Sequence, residues 1–163
     1  MDFQKTSYPT RILFVCMGNI CRSPAAEAIF RARVREAGLA DRIACDSAGT
    51  IGYHSGEPAD ARMRAAAEGR GYTLDSLARQ VRPDDLERFD LLVAMDRDNH
   101  AALQSLRNGR TDGARIVMMC DFARGHDEEE VPDPYYGGEQ GFEKVLDLLE
   151  DACEGLLEEV RKY

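Results

Sequence analysis

No stretch of this chain reaches the ~18 consecutive apolar residues that a membrane-crossing helix needs. Residues 1–10 are polar and lack the apolar core of a signal peptide, so the chain is expected to remain cytoplasmic, with no membrane insertion. Disulfide pairing is not encoded either. The five cysteines, at 16, 21, 45, 120 and 153, are odd in number and show no paired framework, which points to a reducing compartment. Cys45, Cys120, Cys153 and the three histidines supply no second pair at zinc spacing, so neither a metal nor another cofactor is expected. Positive charge is in deficit: 21 Lys and Arg against 30 Asp and Glu give a net charge of −9, which excludes a general nucleic-acid binder. Much of the excess lies in Asp127-Glu128-Glu129-Glu130, read as a solvated loop, and near the C-terminus. Tryptophan, repeats, low-complexity tracts and linkers are all missing. The 163 residues fit a single domain, with residues 1–10 as a short polar tail and a monomer as the simplest state.

What is present alternates. Strand-like runs fall at Ile12–Val15, near Ile43–Ser47, at Leu91–Met95 and at Arg115–Met119. Helical patterns follow each one: Pro24 to about Ala37, Pro58–Glu68, Asp98–Leu106 and about Phe142–Val160. Ser23 reads as the cap of the first helix and Gly38 as its stop. Ala26, Ile29, Phe30, Val34 and Ala37 form its apolar stripe. Such alternation predicts an α/β fold, a three-layer αβα sandwich around a four-stranded parallel sheet. The order 2-1-3-4 would place a topological switch beside the first strand, where ligands bind outside the carboxyl ends of strands.

At that end lie Cys16-Met17-Gly18-Asn19-Ile20-Cys21-Arg22-Ser23. A tight loop between a strand and a helix N-terminus points backbone N–H groups into one concavity, with the helix dipole adding positive potential. Met17 to Arg22 are therefore expected to bind an anion. Gly18 is free to take backbone angles closed to other residues, and Asn19 tolerates the left-handed region. Arg22 offers a planar fork for two phosphate oxygens. Cys16 would lie in line below the phosphorus, in surroundings that favour thiolate. The Ser23 hydroxyl could also donate to the sulfur.

Other residues admit two readings each. Cys21 is a packed thiol or a reversible disulfide partner of Cys16. Asp133, in Val131-Pro132-Asp133-Pro134-Tyr135-Tyr136, is a surface turn residue or a general acid on a loop over the site. Tyr53, Tyr135 and Tyr136 are ordinary half-buried aromatics or the walls of a cleft for a phenyl ring. His54, His100 and His126 read as surface residues.

Cys-x5-Arg-Ser enclosing Gly-Asn-Ile-Cys resembles the phosphate loop of the low-molecular-weight protein tyrosine phosphatases. Asp46-Ser47-Ala48-Gly49-Thr50, Ala78-Arg79-Gln80, Met95-Asp96 and Asp133-Pro134-Tyr135-Tyr136-Gly137 extend the likeness in order across roughly residues 10–160. The resemblance implies hydrolysis of phosphotyrosine in a protein or peptide substrate through a phosphocysteine, with no cofactor. It implies Cys16 as nucleophile, Arg22 as phosphate binder and Asp133 as acid and then base. It also implies Cys21 as a protective redox partner, and Tyr53 and Tyr135 as facing walls. Asn19, Ser23 and Ser47 become the hydrogen-bonding support behind the loop; where the family usually completes that support with a histidine, this chain has Ser76.

Two rivals remain. An arsenate reductase would use a similar loop but needs further cysteines near the third strand, and no Cys lies between Tyr72 and Asp96. A non-catalytic phosphotyrosine-binding module would usually lack the nucleophile or the acid, and both are present.

Overall fold

The computed structural model describes residues 9–136 and 138–162, with the backbone alone at Tyr136. Residues 1–8 of the expected polar tail lie outside the described residues, and Thr10 already belongs to the first strand.

Four strands, β1 (Thr10–Cys16), β2 (Ile43–Gly49), β3 (Leu91–Ala94) and β4 (Arg115–Met118), pair in parallel in the order β2-β1-β3-β4. β1 is central, and its residues 12–16 are all buried, which explains their unbroken apolar reading: helices cover both faces of the sheet. Ile12, Phe14 and Cys16 point to one side, into a core shared with helices α1 (Arg22–Glu36), α2 (Ala61–Glu68) and α5 (Gly138–Val160). Leu13 and Val15 point to the other, against α3 (Asp85–Arg88) and α4 (Arg97–Arg107). The three-layer arrangement and the strand order are those expected.

Helix boundaries follow local chemistry. α1 stops where expected: Gly38 takes a φ of 73°, Gly38 N donates to Arg35 O and Leu39 N to Val34 O, closing a Schellman motif. α2 starts at Ala61 rather than Pro58, because the Asp60 carboxylate caps it by accepting from Arg62 N at 2.8 Å and Met63 N at 3.3 Å. Such a cap contributes about 1 kcal/mol. Pro58 instead pairs with Leu77 in an isolated bridge. α4 ends at Asn108, in the left-handed region at φ 52°. The short α3 has no counterpart in the sequence reading.

The start of α1 corrects one expectation. Ser23 is the second residue of the helix, not its cap; Cys21 holds the cap position and no side chain caps this end. The Ser23 hydroxyl is engaged instead with Cys16, Asn19 and Ala48. The N-terminal N–H groups of α1 are thus left without a side-chain partner at the carboxyl end of β1, beside the switch point.

Candidate active site

A cleft of about 360 Å³ opens at the end of β1, lined by Cys16, Met17, Gly18, Ile20, Cys21, Arg22, Ile51, Tyr53, His54, Asp133 and Tyr135. Its floor is the loop from Cys16 to Arg22. Register fixes that floor: Cys16 pairs with Gly49, Thr50 N donates to Cys16 O and Ile51 N to Met17 O. The fit is close at Gly49, where a Cβ would lie 2.7 Å from Met17 O.

Of the two residues expected to permit the turn, one takes the left-handed conformation. Asn19 has φ 59°, whereas φ at Gly18 is not positive. Space at Gly18 is tight instead: a Cβ there would meet His54 Cδ2 at 3.0 Å, so the His54 ring would have to shift. His54, expected on the surface, therefore packs against the loop; its Nδ1 bonds Glu57 Oε1 at 2.9 Å and its ring meets Tyr53 edge-on at 4.9 Å.

Beneath the loop lies a buried polar chain. Cys16 Sγ and Ser23 Oγ are 3.0 Å apart, Asn19 Nδ2 donates to Ser23 Oγ at 2.8 Å, and Arg79 N donates to Asn19 Oδ1 at 3.0 Å. Ser47 stands outside this chain: its hydroxyl donates to Glu27 Oε1 at 2.6 Å, and Glu27 in turn pairs with Arg31. Its link to the loop runs through α1. Ser76, where the resemblance led us to expect a histidine, is half-buried.

Arg22 is buried at 3% exposure, so its charge must be answered locally. Its Nη1 donates to Asp96 Oδ2 at 2.7 Å and to Val131 O at 3.0 Å, and its Nη2 lies 3.7 Å from Asp133 Oδ2. Burial works against the guanidinium charge, but Cys16, Asp96 and Asp133 outweigh it and hold Arg22 above its ordinary pKa. Asp96 was visible in the sequence only as a landmark. It both caps α4, through Asn99 N to Oδ1, and aims Arg22.

The mouth is built differently. Val131 N donates to Met95 O, so the segment carrying Asp133 is anchored to the end of β3 and to Arg22. Asp133 Oδ1 accepts from Tyr135 N at 3.0 Å, opening the 3₁₀ turn Pro134–Tyr136 and leaving the carboxyl at the rim. Tyr135 lines the cleft, with the Arg62 guanidinium 5.1 Å over its ring. Tyr53, at 80% exposure, stands at the rim. The side chain of Tyr136 lies outside the described residues. The acidic run is a largely exposed loop, as expected, and is also tied to α4: Arg97 pairs with Glu129 and Glu130, and its N–H donates to Glu130 Oε2 at 2.7 Å.

Cys21 is buried beside Cys16 as a free thiol. Burial, and then the negative groups Asp60, Cys16 and Asp133, push its pKa well up. Among the described residues, no group of His, Cys, Asp or Glu side chains is placed to hold a metal ion, and no helix is long and apolar enough to cross a membrane.

Residues 11–163 match the family described as low molecular weight phosphotyrosine protein phosphatase. A low molecular weight protein-tyrosine-phosphatase of Streptomyces coelicolor is 47% identical over 154 residues, covering 93% of this chain and 94% of that one. YfkJ of Bacillus subtilis, of the same description, is 43% identical over 152 residues, covering 93% and 96%. The crystal structure of a protein tyrosine phosphatase from Entamoeba histolytica superposes with a TM-score of 0.89 at 46% identity, covering 94% of this chain and 97% of that one. The chain belongs to the low molecular weight phosphotyrosine protein phosphatase family and is an enzyme of the protein-tyrosine-phosphatase type.

Proposed function

We propose that the protein removes phosphate from tyrosine in protein or peptide substrates, and from small aryl phosphates, by two displacements at Cys16 without a metal ion. The observation that carries this reading is the convergence of Cys16, Arg22 and Asp133 on one cleft whose floor is a helix N-terminus that no side chain caps.

Backbone N–H groups of residues 17–22 and the Arg22 fork bind the phosphate dianion. These contacts strengthen as charge spreads over the equatorial oxygens in the transition state. The Cys16 thiolate attacks phosphorus as the bond to the aryl oxygen breaks, and Asp133 gives its proton to that oxygen. The products of this step are the free phenol and a phosphocysteine. The Asp133 carboxylate then takes a proton from water, whose oxygen attacks phosphorus and expels the thiolate with inorganic phosphate. Tyr53 and Tyr135, which line the cleft, would flank the phenyl ring of the substrate. Under peroxide, Cys16 oxidised to a sulfenic acid would be attacked by the Cys21 sulfur, releasing water and leaving a disulfide that thiols reduce.

The test is hydrolysis of p-nitrophenyl phosphate in excess EDTA by the wild type and by Cys16→Ser. Turnover in the first and none in the second is expected. No turnover by folded, reduced wild type would end this reading.

A further inference from the structure

The buried chain under the loop does not end at Asn19. It continues through the main chain of Arg79 into a second buried charge. Asp85, the first residue of α3, is 0% exposed, and its carboxylate grips the Arg79 guanidinium with both oxygens: Nη1 to Oδ2 at 3.0 Å and Nη2 to Oδ1 at 3.2 Å. Asp85 Oδ2 also accepts from Arg82 N at 2.8 Å, Arg88 Nη1 lies 3.9 Å from its Oδ1, and Asp46 Oδ2 lies 3.4 Å from Arg79 Nη2. Burial works against the Arg79 charge, but Asp85 and Asp46 hold its pKa above the ordinary value. A carboxylate this deep holds its partner in one place, because any departure leaves an uncompensated buried charge. The same segment is stitched to the end of β2, through Gly49 N to Arg79 O and Val81 N to Gly49 O, both at 2.8 Å.

We propose that Asp85 and Arg79 are positioning residues for the nucleophile: the pair holds the Arg79 N–H on Asn19, and Asn19 thereby aims the Ser23 hydroxyl at the Cys16 sulfur. The step rests on hydrogen counting. An amide side chain presents either a donor or an acceptor to Ser23, depending on its rotation. The Arg79 N–H occupies Asn19 Oδ1, so Nδ2 must face Ser23. That donor occupies one lone pair of the Ser23 oxygen, and the single hydroxyl hydrogen is left for the sulfur at 3.0 Å or Ala48 O at 3.4 Å. A thiolate takes that hydrogen as a charge-assisted bond. If the Arg79 N–H drifts away, the Asn19 amide is free to turn. Its oxygen then draws the Ser23 hydrogen toward itself and away from the sulfur.

This inference rests on the reading of Cys16 as nucleophile, yet its test needs no turnover. Alkylation of Cys16 by iodoacetamide is followed across pH by mass spectrometry in the wild type, Asp85→Asn and Arg79→Lys. Asp85→Asn is expected to slow Cys16 alkylation at neutral pH about tenfold and displace the profile to higher pH, as weaker thiolate stabilisation requires. Arg79→Lys, which keeps a cation but loses the fork, gives a smaller displacement in the same direction. In a Ser23→Ala background Asp85→Asn adds nothing further, because the route through Ser23 is already cut. Lowered thermal stability with an unchanged alkylation profile would overturn the proposal, as would an equal further slowing in the Ser23→Ala background. Where Asp85→Asn does not fold, the folded Arg79→Lys profile decides. Absence of phosphatase turnover in the wild type would remove the functional reading above while leaving these alkylation outcomes as they stand.

Discussion

The floor and the mouth of the cleft are built by opposite rules. On the floor, Cys16, Asn19, Arg22 and Ser23 are buried, and their polar groups hydrogen-bond to one another and to partners from β2, the cap of α4, the 78–80 segment and Val131. At the mouth, Tyr53 and Asp133 are exposed; Tyr53 meets the His54 ring edge-on, and Asp133 is held by Tyr135 N and, at 3.7 Å, by Arg22. A buried network is costly to disturb, because a lost partner leaves an unpaired group away from water. An exposed rim can change at little cost. The proposed division is therefore chemistry below and recognition above, and it can be attacked at each level.

The largest effect is expected on the floor. Arg22→Ala removes the fork from the phosphate and leaves Asp96 without its partner; kcat for p-nitrophenyl phosphate should fall by about 10³–10⁵-fold, the range of a transition-state arginine. Circular dichroism confirms that the variant is folded, and a rate within tenfold of wild type would place the phosphate elsewhere. Asp133→Asn stands between the two levels. Its rate should drop by about 10²–10⁴-fold for poor leaving groups, while substrates with good leaving groups suffer less. Equal losses across leaving groups would argue against proton donation. Tyr53→Ala, at the rim, should raise KM for a phosphotyrosine peptide by about 2–10-fold with kcat little changed, the value of one aromatic contact. A kcat loss with constant KM would erase the division between floor and mouth.

The smallest kinetic effect belongs to a region outside the cleft. His126 Nδ1 and Asp151 Oδ2 lie 2.7 Å apart, and Asp151 also accepts from Arg124 N and Gly125 N. The hydrogen bond to Asp151 raises the His126 pKa; for Asp151, burial pulls upward but the bond to His126 and the two backbone N–H groups prevail and lower it. The sign follows from linkage. The His126 contribution is complete below its unfolded value and disappears as pH rises through the raised folded one. The Asp151 contribution disappears as pH falls through its depressed value. The pair thus stabilises most between mildly acidic and near-neutral pH. Asp151→Asn should lower Tm there by roughly 2–4 °C and leave kcat and KM alone, as thermal scans across pH and steady-state assays would register.

Local patterns carried the sheet, the helix ends at Gly38 and Asn108, and the placement of the loop at the carboxyl end of β1, since each depends on neighbours in sequence. The errors share a cause. Ser23 has the composition of a cap, but its hydroxyl is taken by a sulfur seven residues away and by the end of β2. Gly18 reads as a turn glycine, yet its φ is not positive and its close neighbour is His54, 36 residues away. Asp96 and Val131 reach Arg22 across 74 and 109 residues, and Arg79 reaches Asn19 across 60. No periodicity records such contacts. One signal was available: an Asp immediately after the third strand, heading a helix, sits where a cap and an arginine partner coincide.

The central claim is a covalent phosphocysteine, and it is tested most directly by trapping it. Wild-type protein is mixed with p-nitrophenyl phosphate, quenched within one turnover, digested and read by mass spectrometry, beside Cys16→Ser. The account predicts a phosphoryl group on the peptide carrying Cys16 in the wild type and nowhere in the variant. Turnover with no phosphorylated Cys16, or with phosphate on another residue, would contradict it.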